Sequence, residues 1–276
     1  MQQLNFAGKR IVITGAYSGI GASLLELLRG FGADDVVVLD IKEPEADVEG
    51  FIETDMGNPL SIDNAIAELS AEGNPKVSLL FNNAGVAATL PADTVMRINI
   101  LGLKRLTERL MPSMQPGGAI VNTASVAGNG WPEHVNEINQ FLEIDSWDEG
   151  VSWIADHTDV VADGYFFSKE CVQVYTMRAA KAATGFGLRM NSVCPSPVET
   201  PLLPAFRETM TDQIIDWAIE TGAGRVATAE DQARALLSLG SELSVYINGV
   251  NLLVDGGYTA ALQTGQFTPP GAVDVE

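Results

Sequence analysis

Tyr165 and Lys169 stand four positions apart in "YFFSK". On a helix, residues at that spacing share a face. A lysine ammonium beside a phenol favours the phenolate and draws the phenol down from its reference pKa of about 10. The same spacing also suits an ordinary polar contact between helical neighbours, so the pair takes its meaning from what else the chain supplies. Upstream, "TGAYSGIG" (14–21) puts Gly15, Gly19 and Gly21 where an apolar run gives way to a helical pattern. Glycines there let the backbone approach a pyrophosphate, and a helix N-terminus offers free N–H groups and positive dipole. The next apolar run ends at Asp40, 19 residues after Gly21. An acid at that point can accept both hydrogen bonds from an adenosine ribose. It also repels a 2′-phosphate. Ala16 and Tyr17 are uncharged, Ile41 follows the acid, and Lys42 is the nearby cation, so the pattern favours NAD over NADP.

The elements that must position these groups are short. Apolar runs at 10–14, 35–40, 77–82, 118–125, 188–194 and 248–255 read as strands, with a weaker one at 50–55. Their unbroken Val/Ile/Leu character suits strands buried on both faces of a parallel sheet. Helical patterns at 19–31, 61–71, 94–112, 168–184 and 229–240 alternate with them. The alternation predicts an α/β fold, a Rossmann-type doubly wound parallel sheet of about seven strands flanked by helices. With 276 residues, 46% of them hydrophobic, one domain over 1–265 is expected, with a loosely ordered tail at 266–276. A net charge of -20 argues against nucleic acid and anionic membrane surfaces as partners. No apolar run approaches membrane-spanning length, and the N-terminus has no signal core. Cys171 and Cys194 form no disulfide framework, and two histidines separated by 22 intervening residues without a nearby cysteine argue against a metal site. A cytoplasmic protein is expected.

One segment breaks the alternation. No Lys or Arg occurs between Leu110 and Ser168, and 129–163 carries nine carboxylates, both histidines and three of the four tryptophans. Pro132 is placed to open a helix with Val135, Ile138 and Leu142 on one face. "SWDE" matches a capping box, Ser146 to Glu149, ahead of Val151, Ile154 and Ala155. The segment reads as a helical insertion bordering the mouth of a substrate pocket and altering how subunits associate. Its tryptophan-bearing face needs cover.

Taken together, these motifs resemble the short-chain dehydrogenase/reductases over nearly the whole chain except 129–163 and the tail. The glycine loop matches the family's cofactor loop, with Gly15, Tyr17, Ser18, Gly19, Ile20 and Gly21 as cofactor contacts. Asp55 and Met56 match the adenine-contacting position, and "NNAG" supplies Asn83, Ala84 and Gly85. Pro195, Val198 and Thr200 match the loop that seats nicotinamide, although Ser196 stands where the family usually has glycine. "DGG" at 255–257 matches the closing strand motif. By this resemblance the catalytic set is Asn99, Ser125, Tyr165 and Lys169. Tyr165 is the general acid/base, and Lys169 lowers its pKa and bonds the nicotinamide ribose. Ser125 holds the substrate oxygen, and Asn99 positions a water that relays protons. The spacing of 40 positions from Ser125 to Tyr165, and "ETPLL" at 199–203, resemble the bacterial 3α-hydroxysteroid dehydrogenase/carbonyl reductases and the coniferyl-alcohol dehydrogenases. The family's mobile substrate lid falls at 198–225, here rich in apolar residues from Leu202 to Trp217. The resemblance implies an NAD-dependent oxidoreductase acting on a bulky apolar steroid, aryl or cyclic terpenoid alcohol or ketone, working as a homodimer or homotetramer. An NADP-preferring carbonyl reductase and a non-catalytic NAD-sensing protein are the alternatives.

Overall fold

The apolar runs form strands because both their faces are covered: Ile11, Val12 and Ile13 of β1 (Arg10–Thr14) have no exposure at all. In the computed structural model, which describes residues 4–266, six further strands join it. They are β2 (Asp35–Asp40), β3 (Gly50–Glu53), β4 (Val77–Asn82), β5 (Ala119–Thr123), β6 (Arg189–Pro195) and β7 (Asn251–Val254). All pair in parallel, in the order β3-β2-β1-β4-β5-β6-β7. The order reverses between β1 and β4, so a crevice opens at the carboxyl ends of these two strands, where α/β sheets of this kind bind ligands. The expected tail lies outside the described residues, apart from Gln266.

Helices cover both faces. On one side α1 (Gly19–Gly30) and α11 (Ala229–Gly240) bury Leu24, Leu25, Leu28, Leu236 and Leu237 against Ile11 and Ile13. On the other, α2 (Pro59–Leu69), α4 (Leu103–Leu110) and α8 (Tyr165–Gly185) pack against Val12, Leu80 and Ile120. The single helix expected at 94–112 is instead three pieces: α3 (Ala92–Met96), a π-helical turn at Arg97–Gly102, and α4. Such turns frequently mark functional positions, and this one carries Asn99. No helix of the described residues is long and apolar enough to cross a membrane.

The insertion differs from expectation in three ways. Pro132 does not open a helix; it lies inside a 3-10 stretch, Val126–His134, and α5 (Val135–Leu142) begins after it. Only half the capping box of α6 (Trp147–Asp156) forms, the Ser146 hydroxyl accepting from Glu149 N at 3.4 Å. Third, the apolar face does not open on a pocket. Ile138, Phe141, Leu142, Ile154 and, on α7 (Thr158–Val161), Val161 are buried with Phe167 of α8 in one cluster. Trp131, Trp147 and Trp153 pack against the same cluster. Trp153 stacks on Phe167 with centroids 5.8 Å apart. The cover that the tryptophans needed is the protein's own α8, held by aromatic contacts whose planes only the fold brings together.

Candidate active site

The crevice starts at the glycine loop. Gly15 leaves β1 with φ of 70°, and a Cβ there would stand 2.6 Å from Ala84 Cα, so only glycine lets the two loops meet. The meeting is fixed by hydrogen bonds. Thr14 Oγ1 accepts from Asn83 N (3.0 Å) and Ala84 N (2.9 Å), and Asn83 Nδ2 donates to the Gly15 carbonyl at 2.8 Å. Gly21 does not line the crevice; a Cβ on it would collide with that same carbonyl oxygen, so its service is close packing of α1 on the loop. Gly19 faces Thr200 of the β6 loop, 3.3 Å from where its Cβ would be. Asp40 ends β2 half-buried, Oδ2 accepting from Tyr17 N at 2.9 Å and Oδ1 from Lys42 N at 3.3 Å. The Lys42 ammonium lies 5.2 Å from the Tyr17 ring centroid.

Tyr165 opens α8. Gly164 before it has φ of 83° and no room for a side chain, since a Cβ would sit 2.6 Å from the Ala92 carbonyl oxygen. The turn is closed by Asp163, whose Oδ1 accepts from Tyr165 N at 2.9 Å. The helix begins three residues earlier than expected, so Tyr165 and Lys169 do share its first turns. Lys169 Nζ donates to the Thr123 carbonyl at 2.9 Å and lies 5.9 Å from the Tyr165 ring centroid. Ser125 lies two residues past β5, its Oγ accepting from Ala127 N at 3.1 Å, and Gln173 Nε2 donates to the Ser125 carbonyl at 2.8 Å.

Burial dominates the electrostatics of the pair. Burial pushes the Tyr165 phenol up to about 12, only partly opposed by a hydrogen bond from Ser125. Burial also brings the Lys169 ammonium down to about 8. Burial is the largest influence on each of the two groups. Asn99 is fully buried and does not reach the crevice. Its Oδ1 accepts from Val86 N at 2.9 Å, and its Nδ2 donates to the Val86 carbonyl (3.1 Å) and to Ser168 Oγ (3.2 Å). Gly85 separates it from the lysine: a Cβ on that glycine would stand 3.3 Å from Asn99 Oδ1 and 3.7 Å from Lys169 Nζ.

One cavity of about 810 Å³ runs past these groups, within the range of small-molecule and cofactor sites. Its walls include Gly15, Tyr17, Ser18, Gly19, Ile20, Asp40, Asp55, Met56, Asn83, Ala84, Gly85, Ser125, Tyr165, Lys169, Pro195, Val198 and Thr200. A cradle of glycines with no space for side chains, a helix N-terminus and a carboxylate at the end of β2 fit a dinucleotide. From α9 (Leu203–Met210) and α10 (Asp212–Thr221) come Phe206, Met210, Ile214 and Ile215, with the Phe206 ring 5.0 Å from that of Tyr165. Of the insertion, only Gly130 lines the cavity. Sequence reasoning missed Phe166, Glu170 and Tyr258, which also line it. Phe166 and Glu170 adjoin the Tyr–Lys pair in sequence, but nothing in their type marks them.

Comparison with known proteins gives the same picture. The family model described as short chain dehydrogenase matches residues 9–136, and that described as Enoyl-(Acyl carrier protein) reductase matches 155–259. A coniferyl-alcohol dehydrogenase of a Pseudomonas species is 35% identical over 92% of this chain and 98% of its own. A mitochondrial borneol dehydrogenase of Lavandula x intermedia is 31% identical over 91% of this chain and 90% of its own. Among solved structures, a 3-alpha-hydroxysteroid dehydrogenase of a Pseudomonas species, complexed with NADH, superimposes with a TM-score of 0.77 at 27% identity, covering 94% of this chain and all of that one. Likeness that spans both chains almost end to end is the mark of common descent, and the chain belongs to the short-chain dehydrogenase/reductases, a family of oxidoreductases.

Proposed function

We propose that the protein is an NAD-dependent dehydrogenase interconverting a bulky apolar alcohol and its ketone or aldehyde. The observation that carries this reading is that one cavity joins the glycine cradle and Asp40 to Tyr165, Ser125 and Lys169, and continues between Phe166, Phe206, Met210 and Ile215. NAD, when bound, supplies a hydride acceptor. The chain's own work is to hold the substrate and move a proton. The Ser125 hydroxyl bonds the substrate oxygen and Tyr165 Oη exchanges the proton with it, a general acid–base step. Lys169 stands beside the phenol with an ammonium whose pKa of about 8 lets it give up or take a proton near neutral pH. Asn99, locked on Val86 and Ser168, holds the polar gap at Gly85 next to that ammonium. Asp40 favours NAD by like-charge repulsion of a 2′-phosphate.

The named relatives act on an aryl-allylic alcohol, a bicyclic terpenoid alcohol and a hydroxysteroid. All three are ring-bearing, and the hydrocarbon on the Phe206 side of the cavity supports the same class of substrate here. The reading extends to self-association as a homodimer or homotetramer. The edge strand β7 exposes Leu252 and Leu253, and Leu243, Val245 and Tyr246 are exposed as well, Tyr246 almost completely. The deciding experiment measures NADH formation with purified protein against steroid, aryl-allylic and cyclic terpene alcohols, with NAD and NADP compared. No turnover with any member, despite NADH binding, would overturn the proposal.

A further inference from the structure

Near Tyr165 the cavity walls are mostly hydrocarbon: Phe166, Leu202, Phe206, Met210, Ile214 and Ile215. One carboxylate lines the cavity besides Asp40 and Asp55, and it is Glu170, the residue after Lys169. Its side chain is only 5% exposed. Its two oxygens are in different situations. Oε2 lies 2.8 Å from His134 Nδ1 in the 3-10 stretch of the insertion. Oε1 points at Gly130, where a Cβ would stand only 2.7 Å away, and no donor among the described residues reaches it. Both Gly130 and Glu170 belong to the cavity wall. Burial raises the Glu170 carboxyl, and His134 partly restores it.

A carboxylate oxygen left without a donor is tolerable while water can reach it through the cavity. Filling that end with pure hydrocarbon strips the water and leaves a buried acceptor unsatisfied, a loss that costs more than a bond never made. The geometry points to Glu170 as a second polar anchor of the substrate site: Oε1 accepts a hydrogen bond from a hydroxyl of the substrate other than the reacting one. The preferred substrate is then an apolar, ring-bearing alcohol that carries a second hydroxyl, and His134 and Gly130 are the insertion's contribution to choosing it. Sites built to bond a hydroxyl discriminate strongly against the analogue that lacks it. The inference rests on the dehydrogenase reading for the position of the reacting hydroxyl at Tyr165.

The test uses equilibrium binding, so that it does not depend on turnover. The NADH-loaded enzyme is titrated by calorimetry with matched pairs: cinnamyl and 4-hydroxycinnamyl alcohol, and a steroid alcohol with and without a second, remote hydroxyl. In the wild type at least one pair should differ by about tenfold or more in favour of the second hydroxyl, the scale of a hydrogen bond to a charged group. Glu170→Leu keeps a similar volume but offers the cavity neither donor nor acceptor, and the preference should fall below about threefold. Gly130→Ala keeps the carboxylate and sets a methyl against Oε1, with the same expected loss. NADH binding by fluorescence verifies that each variant is folded. Equal affinity within every pair in the wild type, or a preference that survives in a folded variant of either kind, overturns the inference. Alcohol oxidation without discrimination would sink this inference alone. Discrimination without any alcohol oxidation would sink the dehydrogenase reading alone.

Discussion

Replacing Asp40 by asparagine tests the origin of cofactor choice. The substitution is nearly isosteric, and the amide oxygen can still accept from Tyr17 N, the bond that Asp40 Oδ2 makes at 2.9 Å. What it removes is one negative charge. Two unit charges about 4 Å apart repel by about 1 kcal/mol in bulk water and about 4 kcal/mol at an effective dielectric of 20. Asp40 is half-buried at the rim of the cavity, between those limits. A value of about 2 kcal/mol converts to roughly 30-fold in kcat/KM for NAD over NADP. Lys42, held over the Tyr17 ring, opposes the repulsion and keeps the ratio from the upper limit. The assay is kcat/KM for each cofactor at one saturating alcohol concentration, at two ionic strengths. The wild type should prefer NAD, Asp40→Asn should bring the ratio to within a few-fold of unity, and higher salt should shrink the wild-type ratio. A wild type that uses NADP equally well, or an asparagine variant with an unaltered ratio, refutes the reasoning.

Tyr165→Phe should lower kcat about 10² to 10⁴-fold with NADH affinity nearly intact, because only the proton-transfer group is lost; stopped-flow turnover and fluorescence titration give both numbers. Lys169→Met should make the ligand-free protein more stable at pH 7, by about 3 kcal/mol as an upper figure, since the buried ammonium is held from 10.5 down to about 8. Below about 8 the native lysine carries its full burial penalty; from there to about 10.5 the native group is neutral while the unfolded one stays protonated, so wild-type stability gains with pH and the gap closes. Urea melts at pH 7 and 9.5 decide it, and a variant less stable at pH 7 contradicts the assignment. Gly21→Ala should cost about 1–3 kcal/mol of stability through overpacking on the Gly15 carbonyl, and an unchanged urea midpoint would show that α1 shifts to accept it.

Much of this architecture is legible in the sequence because parallel strands buried on both faces have little freedom in composition. The seven apolar runs become the seven strands of the main sheet, with ends trimmed by one to three residues at β3, β5 and β7 and β6 displaced by one. The glycine loop and Asp40 are legible for a related reason: backbone contact and a strand-end acid at the switch point leave few residue types that work. The insertion is less so. Its helices follow from periodicity, but periodicity does not say which surface an apolar face meets. Trp153 finds Phe167 and Phe141 on its own chain, a tertiary outcome with no local signal. The π-turn at Asn99 is equally silent, since the local pattern of 94–112 is that of an uninterrupted helix.

The Tyr–Lys pair shows where spacing stops being informative. Position four on a helix places an ammonium near a phenol, and from that alone the phenol should be lowered. The sign of the shift depends on a second quantity, the water removed from both groups, and that is set by residues far apart in sequence. Phe206 from α9, Phe166 from α8 and the β5 loop around Ser125 close on Tyr165 together. With the phenol pushed up to about 12 and the ammonium down to about 8, the pair in the free protein rests with its proton on Tyr165. A hydrogen bond to the phenol oxygen works against this, and Ser125 is the neighbour whose bond does so. On the proposed function, a substrate oxygen held by Ser125 and Tyr165 then meets a donor. In the carbonyl-reducing direction this is the state required, whereas alcohol oxidation must first remove that proton. On that reading, the desolvation that would favour an apolar substrate also biases Tyr165 toward giving a proton rather than taking one.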